Sequence, residues 1–465
     1  MSGAGLFRRK IITEQPAERR LARTLSWPHL VALGVGAIVG TGILTLIGVA
    51  SDRAGPAVLL SFAVAGGICA CAALCYAEMA TAIPASGSAY TYSYAVLGEI
   101  VAWVVGWSLI LEYSLVVATV AVGWSGYAAR FLDWLGLSVP HALAAGPGAG
   151  GVVNLPAVFI IAVVAGLLTL GTRESARINT ALVALKIVTL ALFVVVALPH
   201  FQSANLHPFA PFGYGAATGP DGAKRGMMGA AAIIFFAFYG FDAISTAAEE
   251  TKRPERDLAI GIVGSMAACT VIYMVVGAAA VGAVSYTRFG KSAEPLALIL
   301  AELGRGGVAT VVALAAAIAL PTVLLAFLYG QSRIFLVMAR DGFLPPALAA
   351  VSRRGTPARI TWLTAVFVGI IAGLAPLDLI ASLANAGTLC AFAAVALCVL
   401  VLRRREPAAR RPFRVPAAWV VAPLAIGGCL YLFTSLSGLT QRFFFAWNAL
   451  GLIVYFAYAR RRAIT

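Results

Sequence analysis

Twelve long apolar runs constrain this chain more than any other feature of its sequence. A membrane-spanning helix needs about 20 apolar residues, because each residue advances the helix by about 1.5 Å. Of the 465 residues, 61% are hydrophobic and 11% are charged, which is more apolar surface than a water-soluble domain buries. The sequence therefore predicts an all-α integral membrane protein with twelve transmembrane helices, at residues 28–50, 56–80, 98–129, 154–172, 178–200, 226–248, 258–284, 306–336, 359–376, 379–402, 417–438 and 442–460.

The distribution of positive charge predicts how these helices are oriented. With a cytoplasmic N-terminus, the loops on the cytoplasmic side hold 25 of the 34 lysines and arginines, and the outer loops hold eight. This asymmetry follows the positive-inside rule and places both termini in the cytoplasm. Basic clusters beside a bilayer attract anionic lipids, so the net charge of +15 indicates membrane lipids as partners and no nucleic acid.

Glycines interrupt two of the runs at their centres. The first run contains "GAIVGTGIL" at residues 36–44, and the sixth contains "FFAFYGFDAIS" at residues 235–245. An interior glycine costs a helix about 1 kcal/mol relative to alanine. The second segment comes five runs after the first, an odd number, so the two enter the membrane from opposite sides. This pattern predicts two broken helices in inverted halves of a transporter, with a binding site at mid-membrane. The alternative is continuous helices whose glycines allow close packing.

Three charged residues lie deep within apolar runs and are singled out, because a charge there is costly and is usually functional. Lys186 is at the centre of "ALVALKIVTLALF" and is a candidate proton-coupling group, the alternative being a side chain that extends to the membrane surface. Glu112 and Asp242 are candidate coupling or pocket acids. The alternative for both is a structural hydrogen bond that caps a broken helix.

The loops add two expectations. The segment 247–257, "AAEETKRPERD", either forms salt bridges that gate or anchor the cytoplasmic side or is simply solvated. Residues 81–97 are predicted as a cytoplasmic loop that packs against the helices. The cysteines lie within apolar runs without histidine or carboxylate partners, so no metal site is predicted, and no spacing of a nucleophile and a base indicates an enzyme.

Three longer segments resemble the cationic amino acid transporter family of the amino acid–polyamine–organocation superfamily. They are "GVGAIVGTGI" at 34–43, "FFAFYGFDAISTAAEETKRPERDLAIGI" at 235–262 and "LYGQSRIFLVMARDGFLP" at 328–345. The resemblance runs from about residue 25 to 402 and continues more loosely to the C-terminus. Animal members of the family have fourteen spans, whereas this chain has the twelve of bacterial members, so we expect the inner membrane of a bacterium.

The resemblance implies the leucine-transporter fold, in which two inverted repeats of five helices are followed by two further helices. The implied organisation is a cytoplasmic tail at 1–27, the first repeat at 28–200, an outer loop at 201–225, the second repeat at 226–402, the last two helices at 417–460 and a cytoplasmic end at 461–465.

The resemblance also implies which residues bind substrate. Backbone amides at a helix N-terminus favour an anion, and the family holds the substrate carboxylate at the unwound turn of helix one. The amino group is expected at backbone carbonyls of helices one and six, and Phe236 matches an aromatic gate. Tyr239 stands where the family has an aliphatic side chain. The implied residues are Gly40, Thr41 and Gly42 for the carboxylate, and Ala37, Ile38, Phe236, Ala237 and Tyr239 for the amino group and gate.

Lys186 matches the lysine that takes the place of a sodium ion in proton-coupled relatives. The resemblance thus implies a proton-coupled amino acid symporter with no cofactor, no metal and no sodium. We expect small neutral amino acids as substrates, with broad or cationic specificity left open, because a cationic side chain needs a free acid in the pocket. An amino acid–polyamine exchanger and a non-transporting receptor are the alternatives, and a small accessory membrane subunit is left open.

Overall fold

The computed structural model describes residues 7–10, 21–44, 46–134, 136–137, 139–219, 224–290, 292, 294–375, 377–436 and 438–460. Most of this chain is helical. The first ten helices are α1 Trp27–Ile38, α2 Thr41–Leu44, α3 Leu46–Ala54, α4 Val58–Ala82, α5 Ser88–Val96, α6 Glu99–Trp134, α7 His141–Ala144, α8 Leu155–Leu170, α9 Thr172–Ala197 and α10 Met227–Phe238.

The second ten helices complete the described chain. They are α11 Asp242–Ser245, α12 Pro254–Ala283, α13 Tyr286–Phe289, α14 Pro295–Glu302, α15 Gly306–Ala319, α16 Pro321–Arg340, α17 Ala358–Leu374, α18 Leu377–Arg405, α19 Ala418–Thr434 and α20 Gly438–Val454. A π-helical turn, Tyr455–Ala459, continues α20. One small antiparallel ladder, between Ala217–Thr218 and Lys224–Arg225, lies before α10.

Each predicted apolar run contains an apolar helix. Eight helical segments of the described chain are long and apolar enough to cross a membrane, and four shorter apolar helices lie in the first, fourth, ninth and eleventh runs. The protein is therefore an all-helical, multi-pass membrane protein.

The eighth run is divided where the sequence predicts one helix. α15 ends at Ala319 and α16 begins at Pro321. Proline has no N–H, and its ring conflicts with the carbonyl four residues earlier, which here belongs to Ala317. The Ala317 carbonyl instead accepts a hydrogen bond of 2.9 Å from the indole N–H of Trp124 on α6.

The prediction that residues 81–97 form a loop is wrong for most of the segment. It contains a nine-residue helix, α5, although it does pack against the bundle as expected. Tyr90, Tyr92 and Tyr94 alternate along α5 and are all buried. An aromatic side chain that is buried against neighbouring helices stabilises a segment by more than its weak helix propensity costs.

The broken helices lie at the centre of the bundle. α1 packs against α9, α12 and α16, and α10 packs against α3 and α4. α6 packs against α16 and α18 and forms a further wall of the same interior. This arrangement surrounds the ends of α1 and α10 with side chains from at least four other helices.

Candidate functional site

The first interruption separates α1 from α2. α1 ends at Ile38, Val39 is extended with φ −74° and ψ 100°, and α2 begins at Thr41. A helix that stops here no longer pairs its last carbonyl groups with its own amides. The break predicted in the first run is confirmed.

The second interruption separates α10 from α11. Tyr239 is extended with φ −81° and ψ 160°, and Gly240 has a φ of +126°, which other residues rarely adopt. The helix resumes at Asp242. The break predicted in the sixth run is confirmed as well.

Glycines allow the two interruptions to touch. A Cβ atom added to Gly42 would lie 2.4 Å from the Cβ of Ala237, and one added to Gly240 would lie 2.8 Å from the Cβ of Ala37. Ala37, early in the first segment, thus contacts Gly240, late in the second, and the other pair shows the same crossing. The two segments therefore run in opposite directions where they meet. This contact explains why a spanning segment contains glycines that weaken its helix.

A small cavity lies between the two interruptions. Six of the eight residues implied for substrate binding line it, and none of its lining residues is charged. Ala237 instead packs on Gly42, and the side chain of Thr41 lies outside the described part of the chain. The lining consists of Ala37, Ile38, Gly40, Gly42, Phe236 and Tyr239, together with Val116, Val323 and Phe327, which the sequence did not single out.

Lys186 reaches the first interruption from α9. Its side chain is 3% exposed, and its ammonium donates to the carbonyl oxygens of Gly36, at 3.0 Å, and of Val39. Thr322 on α16 donates to the same Gly36 carbonyl at 3.1 Å. The alternative in which Lys186 extends to the membrane surface is therefore wrong, because its charge is directed at the broken turn.

Tyr273 on α12 connects the two interruptions. Its hydroxyl lies 2.6 Å from the carbonyl oxygen of Ile38 and 2.9 Å from that of Ala237. These are two of the carbonyls implied for the substrate amino group, and each keeps a second lone pair for another donor. Sequence reasoning missed Tyr273 and Thr322, since a single hydroxyl in an apolar helix carries no spacing signal.

The two acids of the interior do not line the cavity. Asp242 accepts a hydrogen bond from the hydroxyl of Tyr113 on α6. Glu112 is fully buried where α6 meets α18, and a Cβ added to Gly387 would lie 2.8 Å from the Cβ of Glu112. No group of three or more metal-ligating side chains occurs among the described residues.

The charged segment 247–257 forms salt bridges rather than a freely solvated loop. Glu250 pairs with Arg333 at 2.8 Å, and both side chains are almost completely buried. Glu249 pairs with Arg340, also at 2.8 Å. Both arginines are on α16, so this segment is tied to the end of the helix whose other end lies beside Gly36. A buried ion pair of this kind is costly to break because each charge would be left alone.

Helices that cross a membrane and two broken helices around an internal cavity define the class of membrane transporters. The chain matches the family model of the amino acid permeases over residues 25–457, and it belongs to that family. It is therefore a transporter and not an enzyme.

Individual relatives refine this assignment. The chain is 42% identical to the branched-chain amino acid permease BcaP of Bacillus subtilis (strain 168), over 98% of each chain. It is 41% identical to the methylthioribose transporter of the same organism, over 99% of each chain. It is also 38% identical to the vacuolar cationic amino acid transporter 2 of Arabidopsis thaliana, over 86% of this chain and 64% of that protein. The resemblance to cationic amino acid transporters is confirmed.

Proposed function

We propose that the protein is a proton-coupled symporter that takes up small neutral amino acids, branched aliphatic ones included, by alternating access. The observation that carries this proposal is the uncharged cavity between two antiparallel interruptions, one of which receives a lysine ammonium. A zwitterion needs both donors and acceptors, and an interrupted helix supplies them from its backbone.

In this proposal the two interruptions hold the ends of the substrate that all amino acids share. The amides of residues 40–42 bind the carboxylate, because the N-terminus of a helix favours an anion. The carbonyls of Ala37, Ile38, Phe236, Ala237 and Tyr239 are those within reach of the ammonium.

The remaining cavity wall selects the side chain. Val116, Val323 and Phe327 present apolar surface, which fits an aliphatic group. Neither Glu112 nor Asp242 lines the cavity, so a cationic side chain would be buried without a counter-charge. A neutral amino acid is therefore favoured, in agreement with the substrate named for the Bacillus subtilis permease.

Lys186 supplies the coupling in this proposal. When charged, it holds the Gly36 and Val39 carbonyls and joins α1 to α9. When it loses its proton, its two remaining N–H groups donate without charge assistance, so the hold on α1 weakens and α1 is released to move. A lysine in this position makes sodium unnecessary as the coupling ion.

The architecture we propose is the twelve-span leucine-transporter arrangement in a bacterial inner membrane, with both termini in the cytoplasm. The repeats cover 28–200 and 226–402, and 417–460 adds two helices. The antiparallel contact of Gly42 and Gly240 with α10 and α1 supports an inverted relation between the repeats.

Uptake into liposomes tests the function. We expect an inward proton gradient to drive accumulation of labelled leucine, and Lys186→Ala to lower accumulation about tenfold or more while keeping exchange in preloaded vesicles. Uptake that requires preloading and ignores the gradient would identify an exchanger, and binding without any flux would identify a receptor. Competition by arginine or methylthioribose, but not by leucine, would contradict the proposed substrate class.

A further inference from the structure

A second small cavity lies on the other side of Lys186 from the first. It is enclosed by the N-terminal halves of α1, α9 and α16. Half-buried His29, near the start of α1, lies at its outer end, with Nδ1 2.9 Å from the Ser26 hydroxyl. The cavity is lined by Leu25, His29, Leu33, Ser175, Ala176, Asn179, Leu325 and Tyr329.

The two helices that form the cavity run in the same direction. Asn179 donates to the carbonyl of Ala32 at 3.2 Å, and Lys186 donates to the carbonyls of Gly36 and Val39. Later residues of α9 thus meet later residues of α1. Residues 179, 183 and 186 are spaced by about one helical turn each, so they share the face of α9 that looks at α1.

A thin barrier separates the cavity from Lys186. A Cβ atom added to Gly36 would lie 3.0 Å from Asn179 Oδ1 and 3.0 Å from Val183 Cγ2. Gly36 thus lies directly against both side chains, and Val183 is the residue between Asn179 and the lysine along this face of α9.

Asn179 brings an unused polar atom to this barrier. The residue is 1% exposed, and its Oδ1 has no hydrogen-bond partner within the described part of the chain. A buried amide oxygen without a partner is uncommon and costs about 1–3 kcal/mol. A water molecule that enters the cavity would satisfy it.

We propose that this cavity is the proton vestibule of Lys186, with Asn179 as the polar relay and Val183 as the barrier. The inference rests on the proposed proton-coupled function. In the step it describes, an N–H bond of the ammonium breaks and an O–H bond forms on a water molecule in the vestibule. Lys186 is left as a neutral amine, and the proton continues past His29 to the predicted cytoplasmic side.

The surroundings of Lys186 favour this exit. From α12, Cys269 is the titratable side chain within electrostatic reach of the ammonium. From α16, Thr322 contributes a hydroxyl, and from α1 only backbone carbonyls reach it. On one side of Lys186 along this face of α9, Thr189 donates its hydroxyl to the carbonyl of Leu185. On the other side, the next polar side chain among the described residues is Asn179, which lines the vestibule.

Vesicles that contain a trapped pH dye and are supplied with leucine test the inference. Val183→Phe enlarges the side chain that forms the barrier. Asn179→Leu replaces the amide that forms the relay with an apolar side chain of similar volume. We expect each to reduce leucine-dependent proton movement about tenfold or more, while leucine exchange in preloaded vesicles stays near the wild-type rate. The matched control is Val188→Phe, on the same helix at a position that is 64% exposed, for which we expect no change in either measurement.

The possible outcomes distinguish failure of the vestibule inference from failure of the proposed function. Proton movement in both variants equal to that of Val188→Phe overturns the vestibule, and so does an equal loss of proton movement and exchange. If Val183→Phe does not fold, Asn179→Leu alone decides between these results. Absence of leucine-dependent proton movement in the wild-type protein would contradict the proposed function itself.

Discussion

The two interrupted helices differ in how their free carbonyls are satisfied. At the first interruption, three other helices donate to residues 36–39 through Lys186, Thr322 and Tyr273. At the second, among the described residues, Tyr273 donates to Ala237, and the course of the backbone is set by Gly240 at φ +126°. One interruption is held by outside donors, one of them a lysine, and the other is held mainly by its own backbone.

This difference indicates that α1 and α10 have different roles in transport. Hydrogen bonds to a lysine are charge-assisted and depend on its protonation state, so in the proposed mechanism the position of α1 responds to a proton. Gly240 and the packing of Phe236 against Tyr239, with ring centroids 4.9 Å apart, do not depend on protonation. We therefore expect α1 to move during transport and α10 to serve as the fixed side of the site.

The largest effect should come from closing the contact between the interruptions. Gly42→Ala would place a Cβ 2.4 Å from the Cβ of Ala237, and the resulting shift of about 1 Å should reduce leucine transport about 100-fold. Gly240→Ala should do the same and adds backbone strain. Gly67→Ala on α4, where a Cβ meets nothing within 4 Å, is the control that should transport normally. Normal transport by Gly42→Ala would show that the contact is dispensable.

The second prediction compares the two variants that each remove one charged side chain near an interruption. Asp242→Asn should keep proton-driven leucine accumulation within about threefold of wild type, because an amide oxygen still accepts the hydrogen bond from Tyr113. Lys186→Ala should lose it. A loss in Asp242→Asn as deep as that in Lys186→Ala would mean that the second interruption also carries the proton.

The side of the cavity formed by α6 should determine which substrate side chain is preferred, without affecting either interruption. Val116→Ala on α6 enlarges the cavity, and the preference for phenylalanine over valine, measured as the ratio of the two kcat/KM values, should rise about tenfold. Val120→Ala, one turn further along α6 and also buried but outside the lining, is the control. Equal ratios in the two variants would place the side chain of the substrate elsewhere.

The smallest effect should come from the hydroxyl that joins the interruptions. Tyr273→Phe keeps the ring contacts with Phe62 and Phe238 and removes a hydrogen bond worth about 1 kcal/mol, so KM for leucine should rise about fivefold with little change in kcat. Tyr455→Phe, which loses a 2.7 Å hydrogen bond to Glu99, is the control for losing a buried hydroxyl. The same KM change in both variants would remove the special role of Tyr273.

Much of this architecture could be predicted because a membrane imposes a strong pattern on a sequence. Run length predicted where the apolar helices lie, and the glycines at 40, 42 and 240 predicted both interruptions, since backbone that leaves the helix inside a membrane needs them. A lysine within lipid has to face the interior of the protein, so the buried position of Lys186 could be predicted as well.

The parts that could not be predicted depend on tertiary neighbours. Val116, Val323 and Phe327 look like any apolar residues until α6 and α16 bring them to one cavity. Helix α5 was predicted as a loop because small and polar residues dominate its sequence, and only burial of its tyrosines makes it helical. The partners of Glu249 and Glu250 lie about 80 to 90 positions away on α16, beyond the reach of local patterns.

Equilibrium binding of leucine to the purified protein tests the central claim most directly. Calorimetry should show one leucine bound per chain in the wild-type protein and in Gly67→Ala, no binding in Gly42→Ala, and no binding of arginine to any of them. Binding of leucine to Gly42→Ala with the wild-type affinity would contradict the claim that the two facing interruptions form the site.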